Sequence, residues 1–208
     1  MKDLVVLVSD KNMSFALSRI LQRPESLGIR SIKYDIPSNH LQNDPGCLNK
    51  SHEFLRSQQR LYKHGLVIFD HDGCGKEKLS REEIEKSVEQ RLQQSGWEDR
   101  VAAIVIDPEL ENWVWSASPH VADALGWKNR DAEMRNWLKE EGYEFSVNQK
   151  PKNPKEAVEA ALEKAKRPRS SYIYAQIAEK ASLQNCTDTA FQKLKTTLKT
   201  WFPIESNV

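Results

Sequence analysis

The stretch Gly65–Lys76, GLVIFDHDGCGK, decides the fold class. Leu66 to Phe69 form a continuous apolar run that stops at Asp70, and Gly73 and Gly75 mark a turn immediately beyond it. A short run of this kind, with no polar alternation, predicts a strand covered on both faces, as in a parallel α/β sheet. Asp70 and Asp72 then stand at the carboxyl end of that strand, where open α/β sheets bind their ligands. Two carboxylates one residue apart repel each other at neutral pH, and a hard divalent cation with oxygen ligands relieves the repulsion. The turn is therefore a candidate metal site. His71, between the two aspartates, points to the other side of an extended turn and reads as a packing or surface residue. Gly-Cys-Gly-Lys is not a phosphate-cradling loop, because Asp70 stands where the first glycine is required and no Ser or Thr follows Lys76.

Upstream, Leu4 to Val8 predict a first strand, which gives way to a polar turn at Ser9, Asp10, Lys11 and Asn12. Phe15, Leu17, Ile20 and Leu21 then recur at helical spacing as far as Pro24. A weaker strand is expected within Gly28–Ile36, a loop from Pro37 to Gly46, and a helix from about Asn49 to Tyr62 that buries Phe54, Leu55 and Leu61. Downstream, Ser80 followed by Glu83 is a capping box. The helix it opens is expected to run to about Gln94 and stop near Gly96, ahead of another apolar strand from Val101 to Ile106. Strands alternating with helices in this way predict a parallel sheet with right-handed crossovers.

Beyond Asp107 the pattern becomes helical, with segments expected at 109–117, 119–126, 131–141, 154–166, 171–183 and 188–201. Linkers are expected at Gly142–Pro154 and Lys166–Ser171. The expected organisation is an α/β core over residues 1–118 and an α-helical extension over residues 119–208. Within Asp107–Trp113, Asp107 suits a helix N-cap and Pro108 the first helical position. Leu110, Trp113, Val114 and Ala117 would face the core. On such a helix Glu109 and Glu111 point in opposite directions, so at most one faces the strand-end crevice; Glu111 is preferred, on the family resemblance given below as much as on geometry.

A chain of 208 residues can bury a full core, and 29% charged residues suit a soluble protein. No run approaches the roughly 20 apolar residues of a membrane span. The opening MKDLVVLVSD reads as a strand, not a signal peptide, so no membrane association is expected and the cytoplasm is the expected compartment. Cys47, Cys74 and Cys186 form no CxxC pair, which argues against a disulfide framework or zinc site. From Ser146 onward there are 11 Lys and Arg against 6 Asp and Glu, so an acidic body carries a basic tail. Lys164, Lys166, Arg167 and Arg169 make the best basic cluster, followed by Lys193, Lys195 and Lys199. Such groups suit phosphates, and a polyanionic partner is one reading of them; a solvated helix surface is the other. Trp113, Trp115, Trp127 and Trp137 lie on expected helices and read as core.

Taken together, LVVLVSD, LVIFDHDGCG and IDPELENWVW give an arrangement that resembles the Toprim domain, the metal-binding module of topoisomerases, primases and nucleases of the overcoming-lysogenization-defect family. It is closer still to small free-standing Toprim-like proteins of bacterial phage-defence loci, in which a strand leads into a Pro-Glu-x-Glu-x-Trp helix. The resemblance covers roughly the first 120 residues and implies a Toprim-like parallel sheet flanked by helices. It also implies Mg2+ or Mn2+ held by Asp70 and Asp72 with the help of Asp10 or Glu111, and these four as the catalytic set. Phosphodiester cleavage in nucleic acid, DNA ahead of RNA, would follow, with Lys76 neutralising a phosphate. Other subunits of a defence system, such as an ATPase, are the implied protein partners.

Where the Toprim family places Glu-Gly after its first strand, this chain has Ser9-Asp10, and no Glu precedes Pro24. Asp10 is either a shorter substitute or an ordinary turn residue or helix cap. The departure gives a second expectation, a catalytically degenerate scaffold that binds partner proteins or nucleic acid. A third resemblance, of FDHDG to the first motif of haloacid-dehalogenase-type phosphatases, ranks lower. Two strand–helix units precede the motif here, and nothing after Asp107 looks like the required acidic strand end.

Overall fold

In the computed structural model, described for residues 1–38, 43–116, 118–183 and 186–204, four parallel strands form one sheet. They are β1 (Lys2–Val8), β2 (Tyr34–Asp35), β3 (Tyr62–Asp70) and β4 (Val101–Ile106), in the order β2-β1-β3-β4. Val6 lies opposite Leu66, Ile68 opposite Ile104 and Asp70 opposite Ile106. The chain leaves β1 toward one edge and returns to β3 on the other side, so the strand order reverses between β1 and β3. The carboxyl ends of those two strands, at Val8 and Asp70, flank the crevice where such sheets take their ligands.

The helices are α1 (Lys11–Leu21), α2 (Pro24–Leu27), α3 (Asp44–Arg56), α4 (Arg81–Leu92), α5 (Glu111–Val114), α6 (His120–Ala124), α7 (Asp131–Glu140), α8 (Pro154–Lys164), α9 (Ser171–Lys180) and α10 (Thr189–Trp201). Side chains alternate along the strands between two apolar clusters. Leu4, Val6, Leu66, Ile68, Ile104 and Ile106 face α1 and the helices after residue 118. Val5, Leu7, Val67, Phe69, Ala103 and Val105 face α3, α4 and Trp97. Both sheet faces are therefore covered, which is why the strands read as unbroken apolar runs. Each fully buried Leu, Ile or Phe contributes about 1.5–3 kcal/mol. Residues of α6 to α10 share one cluster with β1, β3 and β4, so these helices close one face of the sheet.

Local chemistry places the helix starts. Asp10 caps α1 through Met13 N–H (2.7 Å), and Asn43 caps α3 through Gly46 N–H (2.7 Å). Ser80 and Glu83 form the reciprocal capping box at α4. The chain then widens over Gln93–Trp97 and turns at Gly96, whose φ of 104° suits glycine. The outer edge of β4 is closed by side chains. Glu89 accepts from Ala103 N–H (3.0 Å) and Glu85 from Val105 N–H (2.9 Å). Lys193 of α10 donates to both carboxylates, at 2.8 and 3.1 Å. These bonds satisfy groups that an open edge strand would leave exposed.

Several boundaries differ from the sequence reading. The strand expected within Gly28–Ile36 is only Tyr34–Asp35, where the weak pattern pairs with β1 for two residues. The helix expected from Asn49 begins at Asp44, because Asn43 and Pro45 provide a cap and a first turn inside the expected loop. It ends at Arg56, and Tyr62 opens β3 instead of closing that helix. Residues 39–42 of the expected loop lie outside the described residues. The helix expected at 109–117 is Glu111–Val114, so neither Asp107 nor Pro108 caps or opens it. Trp115 and Trp127 are buried, Trp113 and Trp137 half-buried, and Ala117 lies outside the described residues. The three cysteines are free thiols. No described helix is long and apolar enough to cross a membrane.

Candidate active site

The candidate site is built at the reversal point of the sheet. Asp70 ends β3, and its backbone N–H donates to Asp44 Oδ1 at 2.8 Å. Asp44 stands in the first turn of α3, where a carboxylate complements the helix dipole. Asp10 lies just past β1 and spends Oδ1 on the N-terminus of α1. His71 continues the pairing of β3 with β4 through its N–H to Ile106 O (2.8 Å), and Asp72 N–H reaches Pro108 O (2.9 Å). These bonds bring the segment after β4, with Glu109 and Glu111, to the same crevice.

The carboxylates meet little positive charge. Asp70 Oδ1 is buried and has no hydrogen-bond partner. Burial first, then the charges of Asp44, Glu111, Asp10 and Glu109, hold the Asp70 carboxyl well above the usual carboxylate range. Burial also raises Asp10, with Asp44 adding to it, while the Met13 N–H bond and Arg169 oppose the rise. Glu109 is pushed up to about 7, by burial and then by Glu111. Its Oε1 accepts from Lys155 N–H (3.0 Å) in the first turn of α8. Cys47, one turn into α3, is a buried thiol pushed up by burial and by Asp44, Asp10 and Asp70.

Glu111 is the exception, because the C-terminal helices supply its partners. Tyr174 of α9 donates to Oε1 at 2.5 Å, and Arg169 Nη2 does so at 2.9 Å. Arg169 also bonds the Tyr174 oxygen (3.1 Å) and pairs with Glu159 on α8. Ser171 docks the start of α9 onto α1 through Asn12 (2.8 Å).

Of the residues the sequence nominates, Asp10 and Glu111 therefore both act electrostatically on Asp70. Asp72 is exposed, and its charge bears on Glu109. The charges of Glu109 and Glu111 both bear on Asp70. The expectation that at most one of them faces the crevice assumed a helix through both, and the helix starts only at Glu111. Lys76 is exposed in the turn after β3. In the basic cluster, Lys164 lies over the Trp137 ring (5.3 Å), Lys166 is exposed, and Arg167 donates to Gln176 (2.8 Å). Among the described ion pairs and hydrogen bonds, only Arg169 of that cluster meets a site carboxylate. Lys193 is committed to Glu85 and Glu89. Asp44 and Tyr174 are additions from the structure. The one linear signal for Asp44 is Asn-Asp-Pro, a helix start, and Tyr174 carries none because it is 63 residues from Glu111.

This donor set is hard oxygen, and the orphaned Asp70 oxygen fits a divalent cation or a proton. Among the described residues no three His, Cys, Asp or Glu side chains stand close enough together to form a ready cation cage. Mg2+ does not need one, since it commonly keeps several waters and takes one or two carboxylates together with substrate phosphates. No protein-family profile, curated protein or solved structure matches the chain.

Proposed function

We propose that this chain is a metal-dependent nuclease of the Toprim type, cleaving phosphodiester bonds in nucleic acid, DNA ahead of RNA, in bacterial anti-phage defence. The observation that carries the proposal is the partnerless Asp70 Oδ1 at the strand-order reversal, surrounded by the charges of four further carboxylates. Buried polar groups in folded proteins are normally bonded, and a strongly perturbed acid in a crevice is a functional-site candidate. The family and its setting in defence rest on the sequence motifs described above.

Asp70, with Asp72, Asp10 or Glu111, would hold Mg2+ or Mn2+, and Asp44 is placed to contribute through its position on the Asp70 backbone. When bound, the cation supplies charge stabilisation at a phosphodiester and a water of lowered pKa. The chain's own groups do the rest. Glu109, with its pKa near 7, is suited to accept or return a proton. Lys76, exposed beside the acidic turn, would meet a phosphate. Tyr174 and Arg169 fix the Glu111 carboxylate.

The second reading is a scaffold without catalysis that binds partners such as a defence ATPase. It is favoured by Ser9, which stands where the family has its glutamate, and by Asp10, one position further on, whose carboxylate is used as the N-cap of α1. The test is calorimetric titration of MgCl2 and MnCl2 into the full chain and into Asp70→Asn, with cleavage of single- and double-stranded DNA and RNA followed in the same samples. Binding and cleavage in the wild type, both lost in the variant, are expected. Folded wild type that binds metal but cleaves nothing sinks the nuclease and leaves the scaffold.

A further inference from the structure

Arg169 occupies an unusual position. It comes from the loop between α8 and α9, yet its guanidinium reaches the buried Glu111, and its charge also bears on Asp10. It is held between two carboxylates of opposite setting. Glu111 is 4% exposed and Glu159 is 46% exposed, while Arg169 itself is 35% exposed. The inner contact uses Nη2 and the outer one Nη1. On the inner side Arg169 Nε and Nη2 also donate to the Tyr174 oxygen, at 3.3 and 3.1 Å, and Tyr174 donates to Glu111. The crevice also contains a group that points to a missing positive charge, the buried and partnerless Asp70 Oδ1.

Resting on the metal-dependent reading above, we propose that Arg169 is the resident counter-ion of the crevice, a positioning residue that a divalent cation displaces from Glu111 toward Glu159. A fixed positive charge among the site carboxylates repels an incoming cation, and the repulsion falls away as the guanidinium moves outward. The C-terminal helices thus hold the site in a closed, cation-poor state that metal, or metal with a phosphate, opens. A purely structural Arg169 makes the opposite prediction, because losing it would loosen Glu111 and weaken whatever binds there.

The probe is MnCl2 added to the full chain, with free Mn2+ counted by its electron paramagnetic resonance signal, for wild type, Arg169→Lys, Arg169→Gln and Glu159→Gln. Removing one positive charge from beside a divalent site should tighten binding about tenfold in Arg169→Gln. Arg169→Lys keeps the charge and should stay close to wild type. Glu159→Gln removes the outer resting place and should weaken binding. Binding by Arg169→Gln where the wild type shows none supports the proposal equally. Unchanged or weaker binding by a folded Arg169→Gln overturns it and leaves the metal site standing. Absence of Mn2+ binding in all four proteins removes the metal reading together with this one. If Arg169→Gln does not fold, the exposed Glu159→Gln decides, and unchanged or tighter binding there overturns the displacement.

Discussion

Replacing Glu109 by Gln should leave stability unchanged in acid and raise it at neutral pH. The Glu109 carboxyl moves from an ordinary 4.5 to about 7 in the folded chain, by burial and by Glu111. The folded state therefore holds this proton more tightly than the unfolded chain does. Its stabilising contribution is complete below pH 4.5 and is lost as pH rises through 7. At 1.36 kcal/mol per pH unit the ceiling is about 3.4 kcal/mol. Glu109 is only half-buried, so screening reduces this to about 1.5 kcal/mol. Gln keeps a carbonyl oxygen for Lys155 N–H, so the change removes charge and leaves the bond. The assay is urea denaturation of both proteins at pH 4.5, 6, 7 and 8 without divalent metal. The variant should match wild type at pH 4.5 and exceed it by about 1.5 kcal/mol at pH 8, or roughly 3–6 °C in Tm. Asp3 works in the opposite sense and outside this window. Its carboxyl is held low by Arg30, so its contribution is present at neutral pH and lost only as pH falls below the ordinary carboxylate range. Parallel profiles for wild type and variant, or a variant weaker at pH 8, would refute the electrostatic account of the crevice.

Asp70→Asn should raise Tm by a few degrees at pH 7 without metal and abolish any stabilisation by MgCl2, read by calorimetric scans with and without the salt. Ser80→Ala should cost about 1 kcal/mol in urea denaturation, since Glu83 N–H loses its capping acceptor while the bond from the residue 80 backbone N–H to the Glu83 carboxylate stays. Glu85→Ala should cost about 2–4 kcal/mol, because Val105 N–H loses its acceptor and Arg81 and Lys193 each lose one carboxylate, keeping Glu82 and Glu89. Hydrogen exchange at Val105 should accelerate at the same time, and a protected Val105 in that variant would remove the edge-closing role.

The sheet was legible because its strands are covered on both faces and so lack polar alternation; Val101–Ile106 matches to the residue. The capping box of α4 was legible for an equally local reason. Tyr34–Asp35 was blurred because its pairing with β1 lasts two residues and leaves almost no periodicity. At the site, Asp70 and its turn could be read from a strand-end pattern, whereas Asp44 could not, since its role is a bond to a backbone N–H 26 residues away. Arg169 was nominated for charge alone. Its actual partner, Glu111, is 58 residues distant, a pairing that only the docking of α9 on α1 creates.

Two groups of inward-facing carboxylates in this chain invite comparison. At the β4 edge, Glu85 and Glu89 are matched bond for bond, with two backbone N–H groups, Arg81 and Lys193 as donors. Burial still raises the Glu85 carboxyl, and Val105 N–H, Lys193 and Arg81 oppose the rise. At the carboxyl end of β3 the charges of Asp44, Glu111, Asp10 and Glu109 bear on Asp70, whose Oδ1 has no partner, and Arg169 pairs with Glu111. Burial and the neighbouring carboxylates raise the proton affinity of Asp70 and Glu109, so at neutral pH these two acids weaken the fold they belong to. Stability can be gained at such a position by a single neutral substitution, as Glu109→Gln and Asp70→Asn are expected to show. A sequence that matches its acids at one edge of the sheet and leaves them unmatched at the strand-order reversal carries that cost where ligands bind, which supports a bound cation as the missing partner.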